Sequence, residues 1–203
     1  MLPAPCQEDE NAHGGTGAGR SPGSSRHGFT LVEMVVSLSL VGILAAIAVP
    51  MLREYHESCC VKAVVFDICA MIREAKISAM DADRDYAIGF NPVEGKISLI
   101  EDKGRDGKWN TADDKVVRSL MLASKGGGVR FGYGSYGPRT SGAADDGISF
   151  QNNNTLVCNS RLTGSAGTVY LISRCGVAMA ITMNSNDFGY SLWRWNGKKW
   201  LQL

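Results

Sequence analysis

The sequence predicts an α+β protein, one long N-terminal helix packed on an antiparallel β domain. Three observations predict it. Residues Phe29 to Val49 form an apolar run of 21 residues with a single charge. At about 1.5 Å per residue that run spans roughly 31 Å as a helix, close to the hydrocarbon thickness of a bilayer. Beyond it, Val61, Val65, Ile68, Ile72, Ala75 and Ala79 recur at spacings of three and four, which places them on one helical face. Everything after residue 85 then breaks into short β-prone runs bounded by Gly, Asn and Asp.

Composition narrows the function classes. The 203 residues carry 21 Lys+Arg against 20 Asp+Glu. This near balance argues against nonspecific attraction to nucleic acid or anionic lipid as the main affinity. Only three histidines are present, and only His56 lies beyond residue 28, so a Ser/His/Asp hydrolase or a multi-histidine metal site is poorly supplied. Most soluble enzyme classes lose weight on this count. Twenty-four glycines favour tight turns and short strands over a helical bundle.

The segments divide as 1–28, 29–50, 51–84 and 85–203. Residues 1–28 hold three Pro, six Gly and no apolar periodicity, too little apolar surface to offset the entropy of ordering. An ordinary secretory signal is processed after its apolar core, whereas here Arg20, Arg26 and Gly28 precede the apolar run and Pro50 closes it. Glu33 is the anomaly, because a carboxylate inside such a run costs about 2.5–3.5 kcal/mol on insertion scales and marks a partner.

Gly28-Phe29-Thr30-Leu31-Val32-Glu33 resembles the type IV prepilin signal. The resemblance implies cleavage of a 1–28 leader between Gly28 and Phe29 and N-methylation of Phe29. It also implies a role for Glu33 in assembly, meeting the N-terminal amine of a neighbouring subunit so that two buried charges neutralise each other. Pro50 matches the proline that kinks or locally melts the helix in this family. The stretch Ile68 to Phe90, with Ile72, Arg73, Ala75, Ala79 and Ala87-Ile88-Gly89-Phe90 at the matching positions, is similar to the GspH/FimT group of minor pilins and pseudopilins. The resemblance further implies a pilin-like fold and a structural role, not that of an enzyme, in the fibre of a type IV pilus or type II secretion system. The implied partners are other pilin or pseudopilin subunits, a prepilin peptidase and an inner-membrane assembly platform. The implied location is the bacterial inner membrane, single-pass, with a periplasmic C-terminal domain, and then the pilus or pseudopilus.

In the β domain the expected strands include Lys96–Glu101, Lys115–Leu122, Gly147–Gln151, Thr168–Ser173 and Val177–Met183. A final hairpin is expected from Ser191–Trp195 and Lys198–Leu201 about Asn196-Gly197. Between residues 102 and 114, Asp102, Asp106, Lys108 (through its carbonyl), Asn110, Asp113 and Asp114 fall near the ligand positions of an EF-hand-type loop, with Gly107 at the sharp turn. They are the candidate Ca²⁺ set, against the alternative of a hairpin whose carboxylates cap their own backbone. Cys158 and Cys175 fit neighbouring strands as a candidate disulfide, whereas Cys59 and Cys69 stand about 15 Å apart on one helix. Arg194, Lys198 and Lys199, interleaved with Trp193, Trp195 and Trp200, give an alternative function of binding DNA during uptake by stacking and phosphate contacts.

Overall fold

The computed structural model describes residues 28–139, 145–161, 163–185 and 189–203; the expected leader lies outside these residues except for Gly28. A single helix, α1, runs from Leu31 to Ala82. The chain divides into two compact units with the boundary between Ile43 and Leu44. In the first unit, every residue of Leu31–Ile43 is exposed, and Ser39 returns its hydroxyl to the Val35 carbonyl at 2.8 Å.

In the second unit, α1 buries Val61, Val64, Val65, Ile68, Met71, Ile72, Ala75 and Ala79, which includes every residue of the expected apolar stripe. Polar contacts to the β domain also hold this part of α1 in place. Lys125 pairs with Asp67 at 2.7 Å and Arg118 with Glu74 at 3.3 Å. Arg73 donates to the Tyr190 hydroxyl at 2.7 Å, and the Cys175 amide donates to Glu57 at 2.6 Å.

Two antiparallel sheets complete the unit. The first contains β1 (Tyr86–Asn91), β2 (Lys96–Asp102), β3 (Lys115–Met121) and β5 (Thr155–Cys158) in the order β3-β2-β1-β5. The second contains β4 (Arg130–Phe131), β6 (Gly167–Ile172), β7 (Ala178–Met183), β8 (Tyr190–Trp195) and β9 (Trp200–Gln202) in the order β4-β6-β7-β8-β9. Ile88, Phe90, Ile97, Leu99 and Leu156 from one sheet meet Val169, Leu171, Met179 and Ile181 from the other and the buried face of α1 in one core. Alternation sends Ala87 and Ile100 to the opposite face of the first sheet, where Trp109 covers them in a second, smaller cluster.

Two expectations about strands are corrected. Gly147–Gln151 is not a strand. Only Ile148 bridges Val169, and the chain then enters a left-handed turn in which Asn152, Asn153 and Asn154 all take positive φ, a conformation asparagine tolerates better than branched residues. The strand beside β1 is Thr155–Cys158, absent from the expected set, in register Ala87↔Val157 and Gly89↔Thr155. The last hairpin closes over four residues, because Trp195 pairs with Trp200. Asn196 Oδ1 accepts the amides of Lys198 and Lys199 at 3.0 and 2.8 Å, so its side chain builds the turn and both lysines leave the strand.

Candidate functional site

The start of α1 is built by Thr30. Its hydroxyl accepts the Glu33 amide at 3.2 Å and its carbonyl accepts the Met34 amide at 3.1 Å. Thr30 is therefore the N-cap and Glu33 the third helical residue, the spacing of a capping box. Sequence reasoning missed Thr30, although a threonine three residues before a glutamate at the head of an apolar run is the available signal. Glu33 gains from the positive end of the helix dipole, and its side chain is exposed, open to a partner from outside the chain. Gly28 and Phe29 immediately precede the helix and are also exposed. Pro50 lies inside α1, which continues through it.

The main chemical feature of α1 is apolar surface without cover. From Leu31 to Val49 no large apolar side chain is buried. The helix that carries it is long and apolar enough to cross a membrane. After Pro50 the face opposite the core continues apolar, with Leu52, Tyr55, Cys59, Ala63, Phe66, Ala70, Ile77 and Met80 outside the buried set. Their spacings of three and four, with Arg73 filling the one gap of seven, trace a seam along the helix. Phe66 is 65% exposed. A helix apolar on every side belongs in a core or a membrane.

The acidic loop gathers half of its expected ligand set. Asp106, Asp113 and Asp114 bring one oxygen each to within 4.8 Å of one another. Asp102 is not among them, because it ends β2 in register with Lys115. Asn110 turns away, donating to the Phe90 and Asn153 carbonyls at 3.2 and 2.9 Å, while Asn153 donates back to the Asn110 carbonyl at 2.9 Å. Lys108 joins the loop through its amide, which donates to Asp106 Oδ1 at 2.8 Å. Asp113 Oδ2 closes the turn by accepting the Arg105 and Asp106 amides at 2.7 and 3.3 Å, while the Thr111 hydroxyl donates to Asp113 at 2.8 Å and the Thr111 amide to Asp114 at 3.0 Å. The Thr111 hydroxyl first, and then the Arg105 amide, hold the Asp113 carboxyl below its usual range. The self-capping hairpin is thus present. Three carboxylates are fewer than the six to eight oxygens Ca²⁺ takes, so waters or carbonyls would complete any shell.

The expected Cys158–Cys175 bridge is corrected, since both are free thiols. Cys158 is buried on β5 of the first sheet, opposite Tyr86. Cys175 is exposed in the turn between β6 and β7 of the second sheet. Burial pushes the Cys158 thiol up to about 12 and raises that of Cys69, while the hydrogen bond to Glu57 raises that of Cys175. Thiols so shifted are poor nucleophiles at neutral pH.

Arg194, Lys198 and Lys199 are exposed on the final hairpin, but the nearby rings are engaged within the protein. Trp195 stacks on Tyr136 at 5.0 Å and packs edge-on with Trp200, which also meets Tyr170 and donates to the Gly137 carbonyl. Trp193 lies under the Arg139 guanidinium at 4.3 Å. The DNA reading, which needs bases to stack on these rings, gains nothing from this arrangement.

The prokaryotic N-terminal methylation motif matches residues 23–49. A fimbrial protein of Pseudomonas aeruginosa is 28% identical over 151 residues, 68% of this chain and 87% of that protein. A second P. aeruginosa fimbrial protein is 36% identical over 91 residues, and one from Dichelobacter nodosus is 31% identical over 88 residues. Each of these two alignments covers 40% of this chain, and the chain spans only 56% and 55% of their lengths. Among solved structures, the minor pseudopilin EpsH from the Type 2 Secretion System of Vibrio cholerae aligns with a TM-score of 0.42 at 11% identity, over 64% of this chain and 94% of that one.

Proposed function

We infer that this chain is a type IV pilin-like protein, a structural subunit of the pilin and pseudopilin class whose α1 packs with other such subunits in a fibre. The observation that carries the reading is the uncovered apolar surface of α1, all round from Leu31 to Val49 and along one seam to Met80. Water would not tolerate so large an apolar patch on a monomer. A bilayer covers its first half before assembly, and neighbouring helices cover it afterwards.

The finer steps begin at the head of the helix. A prepilin peptidase cuts after Gly28, and Phe29 receives the methyl group. The new amine of Phe29 then meets the Glu33 carboxylate of a neighbour, so that neither charge is left unpaired in the apolar bundle. The chain crosses the bacterial inner membrane once, with residues 51–203 on the periplasmic side, until an assembly platform draws it into a pilus or pseudopilus.

Intact mass from the native host, with and without the prepilin peptidase, tests this. The expected mass begins at Phe29 and carries one methyl group. A full-length mass, or a cut after Val49, would overturn the assembly reading.

For the acidic loop, we propose a weak Ca²⁺ site on Asp106, Asp113 and Asp114, of the millimolar strength found in extracellular modules. Millimolar Ca²⁺ should raise the unfolding temperature, and Asp106→Asn should remove the rise while keeping the acceptor for the Lys108 amide. No rise in the unsubstituted chain would end this part of the proposal.

A further inference from the structure

Just past the apolar run, a cleft of about 540 Å³ lies against α1. Val49 and Leu52 give it an apolar wall, and Arg53, His56, Glu57 and Arg174 bring its charged and titratable groups. Arg53 is four residues beyond Val49, about 6 Å along the helix axis, which is headgroup depth when Phe29–Val49 fills the hydrocarbon layer.

The remaining wall is backbone. Gly126, Gly127 and Gly128 take φ of 74°, 64° and 60° in succession. A Cβ on Gly127 would lie 2.8 Å from the Cβ of Cys60, and one on Gly128 would lie 3.2 Å from the Arg174 side chain. Only glycine lets this turn sit against the helix with the Arg174 side chain laid along it. The turn is pinned by the Arg174 amide donating to the Gly127 carbonyl at 3.2 Å. The amides of Gly127 and Gly128 have no acceptor among the described residues. Successive amides in such a turn form an anion-binding concavity.

Charge points the same way. Two arginines and one carboxylate line the cleft, and that carboxylate is already engaged by the Cys175 amide at 2.6 Å. An apolar wall, a net positive rim and free backbone donors at the membrane surface match a single chemistry.

We propose that this cleft seats the phosphodiester headgroup of an anionic phospholipid, with an acyl chain lying along Val49 and Leu52. The proposal rests on the membrane-anchored reading given above. It differs from simple snorkelling of a helix-borne arginine, because Arg174 belongs to the β6–β7 turn and reaches the site only in the folded domain. One headgroup then bridges α1 and the β domain at the point where the chain leaves the bilayer.

The test uses the full chain in vesicles of phosphatidylcholine with and without phosphatidylglycerol, followed by native mass spectrometry of the lipid it retains. Retention of phosphatidylglycerol over phosphatidylcholine is expected. Arg53→Gln and Arg174→Gln should each reduce that preference on the order of fivefold, the worth of one basic residue at such a surface. Lys62→Gln, nine residues beyond Arg53 along α1, should leave it unchanged. Equal retention of both lipids, or an equal loss on Lys62→Gln, would mean general surface charge and overturn the proposal. So would displacement by equimolar inorganic phosphate, which would make the cleft a site for the free anion. A chain that fails to enter neutral vesicles would sink the anchored reading and the proposal with it, whereas entry without headgroup preference sinks the cleft alone.

Discussion

Gly89 in the middle of β1 is expected to resist replacement because of what lies over it, rather than because of its own backbone. A Cβ built there falls 2.5 Å from Asn110 Oδ1 and 2.7 Å from its Cγ. Gly89→Ala therefore displaces the Asn110 side chain from the Phe90 and Asn153 carbonyls. Two hydrogen bonds at about 1 kcal/mol each are lost. Against this, alanine restricts the unfolded chain and returns about 0.4–1 kcal/mol. The net loss is about 1–2 kcal/mol, read as a lower urea midpoint at unchanged slope by circular dichroism of the full chain in detergent. The decisive comparison is Asn110→Gly, which removes the obstructing side chain at a position where φ is already 62°. In that background Gly89→Ala should become neutral or stabilising, a change of sign. The same cost in both backgrounds, or stabilisation by Gly89→Ala alone, would refute the packing argument.

The same geometry sets other outcomes. Asp113 has its folded pKa held below its ordinary value of 3.8, so its contribution to stability is present above about pH 4 and is lost as pH falls through the lowered value. Asp113→Asn should flatten that acid limb of the unfolding-midpoint profile, and an unchanged limb would count against the hydrogen bonds from Thr111 and Arg105. Maleimide at pH 8 should label Cys59 and spare Cys158, whose thiol stands at about 12. Glu57→Gln should accelerate labelling of Cys175 by removing the carboxylate that raises it; a slower reaction would contradict that assignment. Phe66→Asp, on the exposed seam, should change stability by no more than about 0.5 kcal/mol yet prevent recovery of the subunit in sheared fibres, and normal recovery would show that the seam is not an interface.

How much could be read from the sequence depends on how local each signal is. The buried stripe from Val61 to Ala79 was legible because a helix repeats its facing within four residues, and the structure buries every member. Strands β2, β3, β6 and β7 were legible within a residue or two at their ends for a similar reason. β4 and β5 were not, since two and four residues carry too little period, and the Asn152–Asn154 run beside β5 reads as a turn in any context. The loop at 102–114 shows the same division. Spacing placed its carboxylates, but it could not say that Asn110 would be drawn to Asn153, a residue 43 positions away. The cysteine pairing failed for that reason too, because neighbouring in sequence order does not assign two strands to one sheet.

The order in which the chain visits its sheets has a kinetic consequence. β1, β2 and β3 form one local meander and β6 to β9 another, each pairing strands that follow one another in the chain. Between them the chain lays β4 beside β6 in the second sheet and then returns to place β5 beside β1 in the first. The first sheet draws on residues 86–158 and the second on 130–202, so the two overlap along the chain and each waits on a strand made after the other has begun. Leu44–Leu203 should therefore fold late and all at once, after closures of about 70 residues between β1 and β5 and about 40 between β4 and β6. It should also come apart the same way, so that a subunit pulled on by its neighbours yields as a whole and offers a protease no half-open sheet.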